Sequence, residues 1–238
     1  MDIKEEQLIG SDISQHWYYA SKLEMLKKLI SKYPGKKILD VGAGSGFFSK
    51  SLMKTGKYDE CICVDTSYTK EALGNCSDKS IRYVNSIDNY DATLVLMMDV
   101  IEHVDNDIGL IKTYLDKVPS GSIFFITVPA FQFMWSKHDV FLEHKRRYDL
   151  PLLRKTITES GLQIKQINYY YAIVFPIAGA LRIFEKFQKN KPVESQLQTH
   201  SYVVNKILSL VCKWESNLFF LKRNKLFGLT VVCVAEKR

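Results

Sequence analysis

The sequence lacks a cysteine framework, a membrane-spanning run and an apolar N-terminal segment. Its five cysteines are odd in number and form no C-x-x-C pair, so they indicate neither a disulfide framework nor a zinc site. The longest apolar run, residues 169–181, is 13 residues long and contains Pro176, whereas a membrane-spanning helix needs about 20 residues. The N-terminal sequence MDIKEEQLIGSD has no apolar stretch of the kind found in a secretory signal. We therefore expect a cytoplasmic protein, and no metal ion is predicted.

The positive charge is unevenly distributed along the chain. The formal net charge is +7 at pH 7, and residues 151–238 carry 14 Lys and Arg against 5 Asp and Glu. Such asymmetry indicates that the C-terminal part meets an anionic partner. Nucleic acid, a membrane surface and a phosphorylated acceptor all fit this charge, although bulky apolar residues accompany it.

Apolar strands and amphipathic helices alternate along the chain. Helical spacing covers residues 14–31, 45–54, 106–118 and 150–160, and apolar strands cover residues 36–41, 60–65, 81–84, 92–98, 122–128, 164–171 and 228–235. This alternation predicts an α/β fold: a Rossmann-like doubly wound, mostly parallel seven-stranded sheet with an antiparallel last strand. We expect residues 1–35 to form an N-terminal helical cap, residues 36–171 and 228–238 the core, and residues 172–227 a basic, amphipathic helical insertion.

A glycine-rich turn, ILDVGAGSG, follows the first predicted strand. Gly42, Gly44 and Gly46 allow positive φ angles and a close approach of a ligand to the backbone. A structural turn, a nucleotide site and a dinucleotide site all remain open from these glycines alone. Ligands of such sheets bind at the carboxyl ends of the strands, where this turn, Asp65 and Asp99 converge.

Two residues beside the turn favour S-adenosylmethionine over NAD as the ligand. Phe47 stands where the third glycine of G-x-G-x-x-G would fall. Asp40 precedes the turn, where a carboxylate repels a pyrophosphate but attracts an ammonium group. S-adenosylmethionine carries an ammonium and a sulfonium group, whereas NAD carries two phosphates. Asp65 ends the second strand, where it can accept hydrogen bonds from the ribose hydroxyls of either ligand.

Three segments, ILDVGAGSGFFSKSL, CVDTSY and LVLMMDVIEHVDND, together resemble the class I S-adenosylmethionine-dependent methyltransferases. They fall within residues 38–107 in the family's order and spacing, and VIEHV is typical of its small-molecule enzymes. The resemblance implies that Gly42 and Gly44 contact the methionine, that Met98 and Asp99 border it, and that Asp65 holds the ribose. The predicted cofactor-binding residues are Asp40, Gly42, Ala43, Gly44, Gly46, Asp65, Thr66, Ser86, Ile87, Met98 and Asp99.

The adenine position departs from the family pattern. The resemblance implies that Ser86 or Ile87 lies beside the adenine ring. Asn85 and Ser86, however, stand where the family often has an acid that recognises the adenine amino group. The adenine contacts are therefore expected from the positions of these residues in the sequence and not from their residue types.

Residues 129–150, after the fifth predicted strand, hold the candidates for chemistry on the methyl acceptor. Methyl transfer needs the nucleophile, carbon and sulfur aligned, and a hydroxyl acceptor also benefits from a general base. His138, Asp139 and His144 are the catalytic candidates, and a solvated basic loop is the alternative interpretation. The basic residues that could hold an anionic group are Lys145, Arg146 and Arg147.

HWYY near the N-terminus and VPAF…WS.HD…H.RRY resemble methyltransferases found beside, or fused to, glycosyltransferases of surface-polysaccharide pathways. This resemblance implies site roles for His138, Asp139, His144, Arg147 and Tyr148. The predicted acceptor-binding residues are Trp17, His103, Trp135, Arg146, Arg147 and Tyr148. For His103, a structural role near the cofactor is the alternative to a role as a base.

The predicted insertion combines an apolar stripe with basic residues. The apolar positions at helical spacing are Val203, Val204, Ile207, Leu208, Val211, Trp214, Leu218 and Leu221, and the basic ones beside them include Lys206, Lys213, Lys222, Arg223 and Lys225. Such a stripe can lie on an anionic membrane. The alternative is that it faces the core as a helical cap over the active site.

Three functions follow from these patterns. The first is O-methylation of a saccharide or lipid-linked glycan intermediate, in the cytoplasm or at the inner membrane face. The second is RNA methylation, against which stand the lack of a (D/N)PP(Y/F) tetrapeptide after the fourth strand and of a recognisable RNA-binding module. The third is a non-enzymatic, membrane-associated cofactor-binding subunit, because fold similarity alone does not exclude it. We predict the first, with a small-molecule or lipid-linked anionic or glycan acceptor rather than nucleic acid.

Overall fold

The structure is a computed structural model that describes residues 13–187, 201–222 and 224–238. Residues 1–12 of the predicted cap, and residues 188–200 and Arg223 of the predicted insertion, lie outside the described residues. The side chains of Leu218, Leu221 and Lys222 also lie outside them.

A single eight-stranded sheet runs through the molecule in the order β3-β4-β2-β1-β5-β6-β8-β7. In chain order the strands are β1 (Lys37–Val41), β2 (Glu60–Val64), β3 (Ala72–Cys76), β4 (Lys79–Val84), β5 (Leu94–Met98), β6 (Ile123–Pro129), β7 (Leu162–Tyr170) and β8 (Thr230–Lys237). The neighbouring strands β4, β2, β1, β5 and β6 are parallel, and β8 lies antiparallel between β6 and β7. The predicted doubly wound, mostly parallel sheet with an antiparallel last strand is therefore confirmed.

The sheet has one strand more than predicted. Residues Ala72–Cys76 pair antiparallel with β4 at the sheet edge. Ser77 and Asp78 connect the two strands, both with positive φ angles, as a tight hairpin turn requires. Because most side chains of this edge strand are exposed, it carries no apolar run by which the sequence could indicate it.

Seven helices accompany the strands in the described part of the chain. They are α1 (Trp17–Ile30), α2 (Phe47–Met53), α3 (Asp107–Asp116), α4 (Lys137–Phe141), α5 (Leu150–Glu159), α6 (Phe175–Phe187) and α7 (Tyr202–Lys222). Asn106 begins α3 by accepting a hydrogen bond from the Gly109 amide, and Asp149 begins α5 in the same way with Leu152.

Two hydrophobic cores lie on opposite faces of the sheet. Side chains of α1, α2 and α7 share one core, and those of α3 and α5 share the other. Strand β5 contributes Leu94, Leu96 and Met98 to the first core and Val95 and Met97 to the second. Burial on both faces explains why this strand reads as a continuous apolar run.

Helix α7 packs against α1, although the two helices are far apart in the sequence. The Asn205 side chain accepts a hydrogen bond from the Trp17 amide at 2.8 Å, and the Lys28 ammonium donates to the Ser216 hydroxyl at 2.6 Å. Helices α6 and α7 thus occupy the described parts of residues 172–227, while the predicted domain boundaries stay a prediction. No helix among the described residues is long and apolar enough to span a membrane.

We expect Glu215→Ala to destabilise the protein by about 3 kcal/mol, a fall in Tm of roughly 6–12 °C. Glu215 is buried, and its two oxygens accept hydrogen bonds from the Ala172 and Ile173 amides at 2.6 and 3.0 Å. Removing the carboxylate leaves two amides without their acceptor. Thermal unfolding measures the change, with Glu24→Ala on the exposed side of α1 as the control. Equal melting temperatures for the two variants would contradict this role.

Candidate functional site

The carboxyl ends of the parallel strands are held together by backbone hydrogen bonds. The Gly42 amide donates to the Val64 carbonyl at 2.8 Å, the Asp65 amide to Val84 at 3.1 Å, and the Asp99 amide to Thr127 at 3.0 Å. These bonds connect the end of β1 with β2, of β2 with β4, and of β5 with β6, while β1 and β5 are neighbouring parallel strands. The predicted convergence of the glycine turn, Asp65 and Asp99 at one edge is therefore observed.

The glycine turn has the backbone conformation that its residues allow. Gly42, Gly44 and Gly46 have φ angles of 64°, 55° and 72°, which disfavour residues with a side chain. A Cβ atom at Gly42 would also lie 2.7 Å from a Val100 methyl carbon. Gly46 precedes the first turn of α2, so the turn leads directly into a helix N-terminus.

Asp65 braces the glycine turn. One of its carboxylate oxygens accepts a hydrogen bond from the Gly44 amide at 2.9 Å, and the other accepts from the Ser67 amide and hydroxyl at 2.9 and 2.6 Å. Burial would raise the pKa of Asp65, but these hydrogen bonds outweigh burial and hold it below its usual value. The acid is therefore ionised and fixed in position, with Thr66 exposed beside it.

Tyr68 is a site residue that the sequence analysis did not single out. Its hydroxyl donates to the Gly44 carbonyl, and its ring packs edge-on against Tyr83 with centroids 5.7 Å apart. The two rings therefore flank the turn on the side of β4. The signal was present, because Tyr68 ends the CVDTSY segment that carries the family resemblance.

The other predicted cofactor residues lie at the same edge. Asp40 is buried, and burial raises its pKa to about 6. Ala43 and Met98 are buried, whereas Ser86 is exposed and Ile87 half-buried. Their contacts with a cofactor stay a prediction.

A buried ion pair joins the N-terminal helix to the end of β5. The ammonium group of Lys22, which is fully buried, contacts the Asp99 carboxylate and donates to the Tyr18 hydroxyl at 3.1 Å. Burial lowers the pKa of Lys22, but the Asp99 charge outweighs burial and keeps it above the usual value. Asp99 has a φ angle of 55° and accepts a second hydrogen bond from Thr127 at 3.0 Å. Lys22 was missed because one lysine in an amphipathic helix carries no signal of burial.

In the segment after β6, Asp139 is a structural residue rather than an available base. It is fully buried and forms a capping box with Ser136 at the start of α4. Arg147 donates to it at 2.6 Å and the His144 Nδ1 atom lies 2.9 Å away. Burial would raise the pKa of Asp139, but His144 and Arg147 hold it far below its usual value. This corrects the expectation that Asp139 serves as a catalytic base.

The basic residues of the same segment are also engaged within the protein. Arg147 is buried and donates to the Ala130 carbonyl at 3.0 Å as well as to Asp139. Arg146 lies 3.4 Å from Asp107, and the fully buried Tyr148 donates to the same carboxylate at 2.8 Å. These contacts correct the expectation that Arg147 and Tyr148 bind an acceptor. Arg146, with a partly exposed side chain, keeps that prediction open.

The remaining candidates for acceptor binding and catalysis differ in how far their side chains are exposed. Trp17 is buried with its ring edge-on to Tyr171 at 6.0 Å, and its contact with an acceptor stays a prediction. Trp135 and His138 are half-buried. Burial lowers the pKa of His138 to about 3, so its imidazole is neutral and a weak base.

His103 and His144 meet beside Glu102. The two imidazole rings lie edge-on with centroids 4.7 Å apart, and the Lys145 amide donates to the Glu102 carbonyl at 2.7 Å. Glu102 is fully buried, and burial followed by the Asp99 charge raises the pKa of its carboxyl well above the usual value. Glu102 was missed as a site residue, although it lies within VIEHV.

A family model described as a methyltransferase domain matches residues 15–167 of the chain. Since this match covers more than half of the sequence, the protein belongs to the methyltransferase-domain family. Its sheet order and helix placement are those of the class I S-adenosylmethionine-dependent methyltransferases, which the sequence motifs predicted.

Individual relatives are distant. The ubiquinone biosynthesis O-methyltransferase of Coxiella burnetii is 26% identical over 145 residues, which cover 52% of this chain and 62% of that protein. The chain thus spans less than two thirds of the curated relatives that it matches. The S-adenosyl-L-methionine complex of Haemonchus contortus phosphoethanolamine N-methyltransferase 2 has a TM-score of 0.56 at 15% identity, covering 99% of this chain and 56% of that one. The [4+2]-cyclase SpnF has a TM-score of 0.57 at 11% identity, covering 92% and 81%. At these identities both likenesses show only that the chain has the same fold.

Proposed function

We propose that this protein binds S-adenosylmethionine at the carboxyl edge of the sheet and transfers its methyl group to an acceptor oxygen. The observation that carries this proposal is the meeting of the glycine turn, Asp65 and the Lys22–Asp99 pair at one edge of a methyltransferase-family fold. Together they offer backbone and anionic contacts within one site. S-adenosylmethionine has a matching set of groups, since it carries a ribose, a carboxylate and two cationic centres.

The charges suggest how the cofactor lies in the site. The ionised Asp65 carboxylate suits the ribose hydroxyls, and its contact with Gly44 supports a ribose position beside the turn. The cofactor's ammonium and sulfonium groups suit Asp40 and Asp99. The Lys22 ammonium is fully buried against Asp99, so it holds that carboxylate in place rather than facing the cofactor.

The affinity for S-adenosylhomocysteine, which keeps the ammonium group, should rise by about tenfold between about pH 5 and pH 7. The pKa of Asp40 is about 6, so its carboxyl is mostly protonated at the lower pH and mostly ionised at the higher. Only the ionised form attracts the ammonium. Isothermal titration calorimetry across this range measures the effect.

Asp40→Asn should bind more weakly and with a flat pH profile, whereas Asp91→Asn, at an exposed position, should keep the wild-type slope. A sloping profile in Asp40→Asn would assign the titration to another group. No binding of S-adenosylhomocysteine at any pH would refute the proposed cofactor.

The acceptor that we propose is a saccharide or a lipid-linked glycan intermediate, methylated on oxygen. The resemblance of HWYY and of residues 128–148 to glycosyltransferase-associated methyltransferases supports it. A distant relative named as an O-methyltransferase supports transfer to oxygen. Exposed Phe133, packed beside Phe131 and Phe175, supplies an aromatic surface next to the site that suits an acceptor with apolar faces.

His144 is the candidate general base for a hydroxyl acceptor. Its Nδ1 atom contacts Asp139, which orients the ring and leaves Nε2 as the atom for proton transfer. Arg147 and Ser136 hold Asp139 in turn. His138, with its pKa lowered to about 3, is the weaker candidate.

Replacing His144 by Gln should lower turnover by about 100-fold or more while leaving cofactor affinity nearly unchanged. The measurement is transfer of labelled methyl groups to cell-envelope extracts, with calorimetry for the cofactor. His138→Gln is the matched variant and should lose less than about threefold. Unchanged turnover in His144→Gln would remove this base from the mechanism. Transfer to RNA instead of envelope material, with steep salt dependence, would favour the alternative acceptor.

Helix α7 supports a second element of the proposal, contact with an anionic membrane. Val203, Ile207, Leu210 and Trp214 are all exposed and lie on one face of the helix, whereas Cys212 on the opposite face is buried. Lys206 and Lys213 are exposed on the same helix. An exposed apolar face with basic neighbours is the pattern of helices that lie in a membrane surface. We propose a peripheral site at the inner membrane face, where a lipid-linked acceptor would be presented.

Co-sedimentation with phosphatidylcholine vesicles that contain phosphatidylglycerol should show binding that salt weakens. Ile207→Gln and Trp214→Gln should each lower the partition coefficient by about tenfold, which corresponds to about 1.4 kcal/mol of lost apolar burial. Leu73→Gln is the matched control, because Leu73 is 81% exposed on β3 at the sheet edge. Equal binding by all three variants would reject α7 as the membrane face.

A further inference from the structure

Glu102 has a buried carboxylate without a partner. The residue follows β5 in a short 3-10 helix, Ile101–His103, and is 0% exposed. Among the described residues, neither of its side-chain oxygens has a hydrogen-bond partner. A buried polar group without a partner costs about 1–3 kcal/mol, and a charged one costs more. A group of this kind calls for an explanation, and a bound ion is one.

His144 lies near this carboxylate. Its Nδ1 atom is engaged by Asp139 at 2.9 Å, and Asp139 is itself held by Arg147 at 2.6 Å. A carboxylate that holds one imidazole nitrogen leaves the other nitrogen as a metal ligand, and this is the usual outer-shell arrangement around a metal-binding histidine. The Asp139 contact therefore prepares His144 Nε2 for a ligand.

His103 completes a group of three ligand atoms. One atom from each of Glu102, His103 and His144 lies within 4.8 Å of the other two. Metal–ligand distances of about 2.0–2.2 Å put the ligand atoms of one ion closer together than this, so a contraction of roughly 1 Å closes the site. The hydrogen bond from the Lys145 amide to the Glu102 carbonyl, 2.7 Å long, fixes the two backbone segments against each other.

We propose that Glu102, His103 and His144 bind a divalent transition-metal ion. Two imidazoles and one carboxylate are a ligand set for Zn²⁺ and its neighbours in the first transition row, whereas Mg²⁺ and Ca²⁺ prefer oxygen ligands. Three protein ligands leave at least one coordination position open, which distinguishes a catalytic site from a structural one. The ion would neutralise the buried carboxylate and occupy the carboxyl edge of the sheet, close to Asp99.

The role of the ion rests on the proposed function. A hydroxyl oxygen of the acceptor binds at the open position, where the metal lowers the pKa of the hydroxyl and its proton leaves to solvent water. The oxygen lone pair forms the new bond to the methyl carbon, and the electrons of the carbon–sulfur bond pass to sulfur. The sulfonium becomes the neutral thioether of S-adenosylhomocysteine. In this arrangement His144 acts as a ligand, and the metal replaces it as the activating group.

Zn²⁺ binding to the full chain, dialysed first against a chelator, tests the site directly. Calorimetry should show one tight site, and Co²⁺ in its place should give visible absorption bands of a nitrogen- and oxygen-ligated ion. Glu102→Gln and His144→Gln should each weaken Zn²⁺ binding by at least about tenfold to 100-fold. His138→Gln, which removes a nearby imidazole outside the cluster, should bind as the wild type does.

The wild-type protein provides a test that does not depend on the folding of any variant. Zn²⁺ should raise its Tm in proportion to the logarithm of the free ion concentration, since only the folded state holds the three ligands together. Absence of one-site Zn²⁺ binding in the wild type would refute the proposal. So would binding that persists unchanged in both Glu102→Gln and His144→Gln.

Failure of this proposal and failure of the proposed function give different results. Normal S-adenosylhomocysteine binding and methyl transfer that a chelator leaves unchanged would refute the metal and retain the methyltransferase. Zn²⁺ bound at Glu102 and His144 without any S-adenosylhomocysteine binding would retain the metal site and refute the methyltransferase.

Discussion

The buried ion pair between Lys22 and Asp99 is the interaction on which the site depends. It ties the N-terminal helix to the carboxyl edge of the sheet, and it places a fully buried cation beside a partly exposed anion. Removing Asp99 would leave the buried charge of Lys22 uncompensated, which is far more costly than the pair itself. Asp99 also accepts a hydrogen bond from the Thr127 hydroxyl, so the pair connects α1, β5 and β6 at one point. The cap is therefore part of the site as well as a cover for it.

Asp139 organises the segment after β6 in a comparable way. Its buried carboxylate is hydrogen-bonded to Ser136, His144 and Arg147. It therefore caps the start of α4, orients the His144 imidazole and neutralises the Arg147 guanidinium. A residue so fully engaged has no lone pair available for proton transfer, although its type and position resemble those of a base. The reactive atom in this cluster is the far nitrogen of His144, and Asp139 positions it.

The fold narrows the function without deciding it. A named cyclase and a named N-methyltransferase both share this fold with the chain at low identity, so the sheet alone does not specify the reaction. The charges at the strand ends therefore support methyl transfer, and the segment after β6 supports the choice of acceptor. The unpartnered Glu102 carboxylate stands apart from both sets, and it is the feature that the cofactor contacts leave unexplained.

The sequence by itself determined the strand and helix pattern, the glycine turn and the acid at the end of β2, because apolar periodicity, glycine φ preferences and short motifs are local properties. It missed β3, whose exposed edge residues have no apolar signal, and it missed Lys22, whose burial depends on a helix folding back over the sheet. Only the tertiary structure showed that the side chains of Asp139, Arg147 and Tyr148 are occupied by hydrogen bonds within the protein. His144 is only partly engaged by such contacts. The tertiary structure alone brought His144 to Glu102 and His103, some 40 residues away in the sequence. A residue type indicates what a side chain could do, but its partners after folding decide which of its atoms remain available.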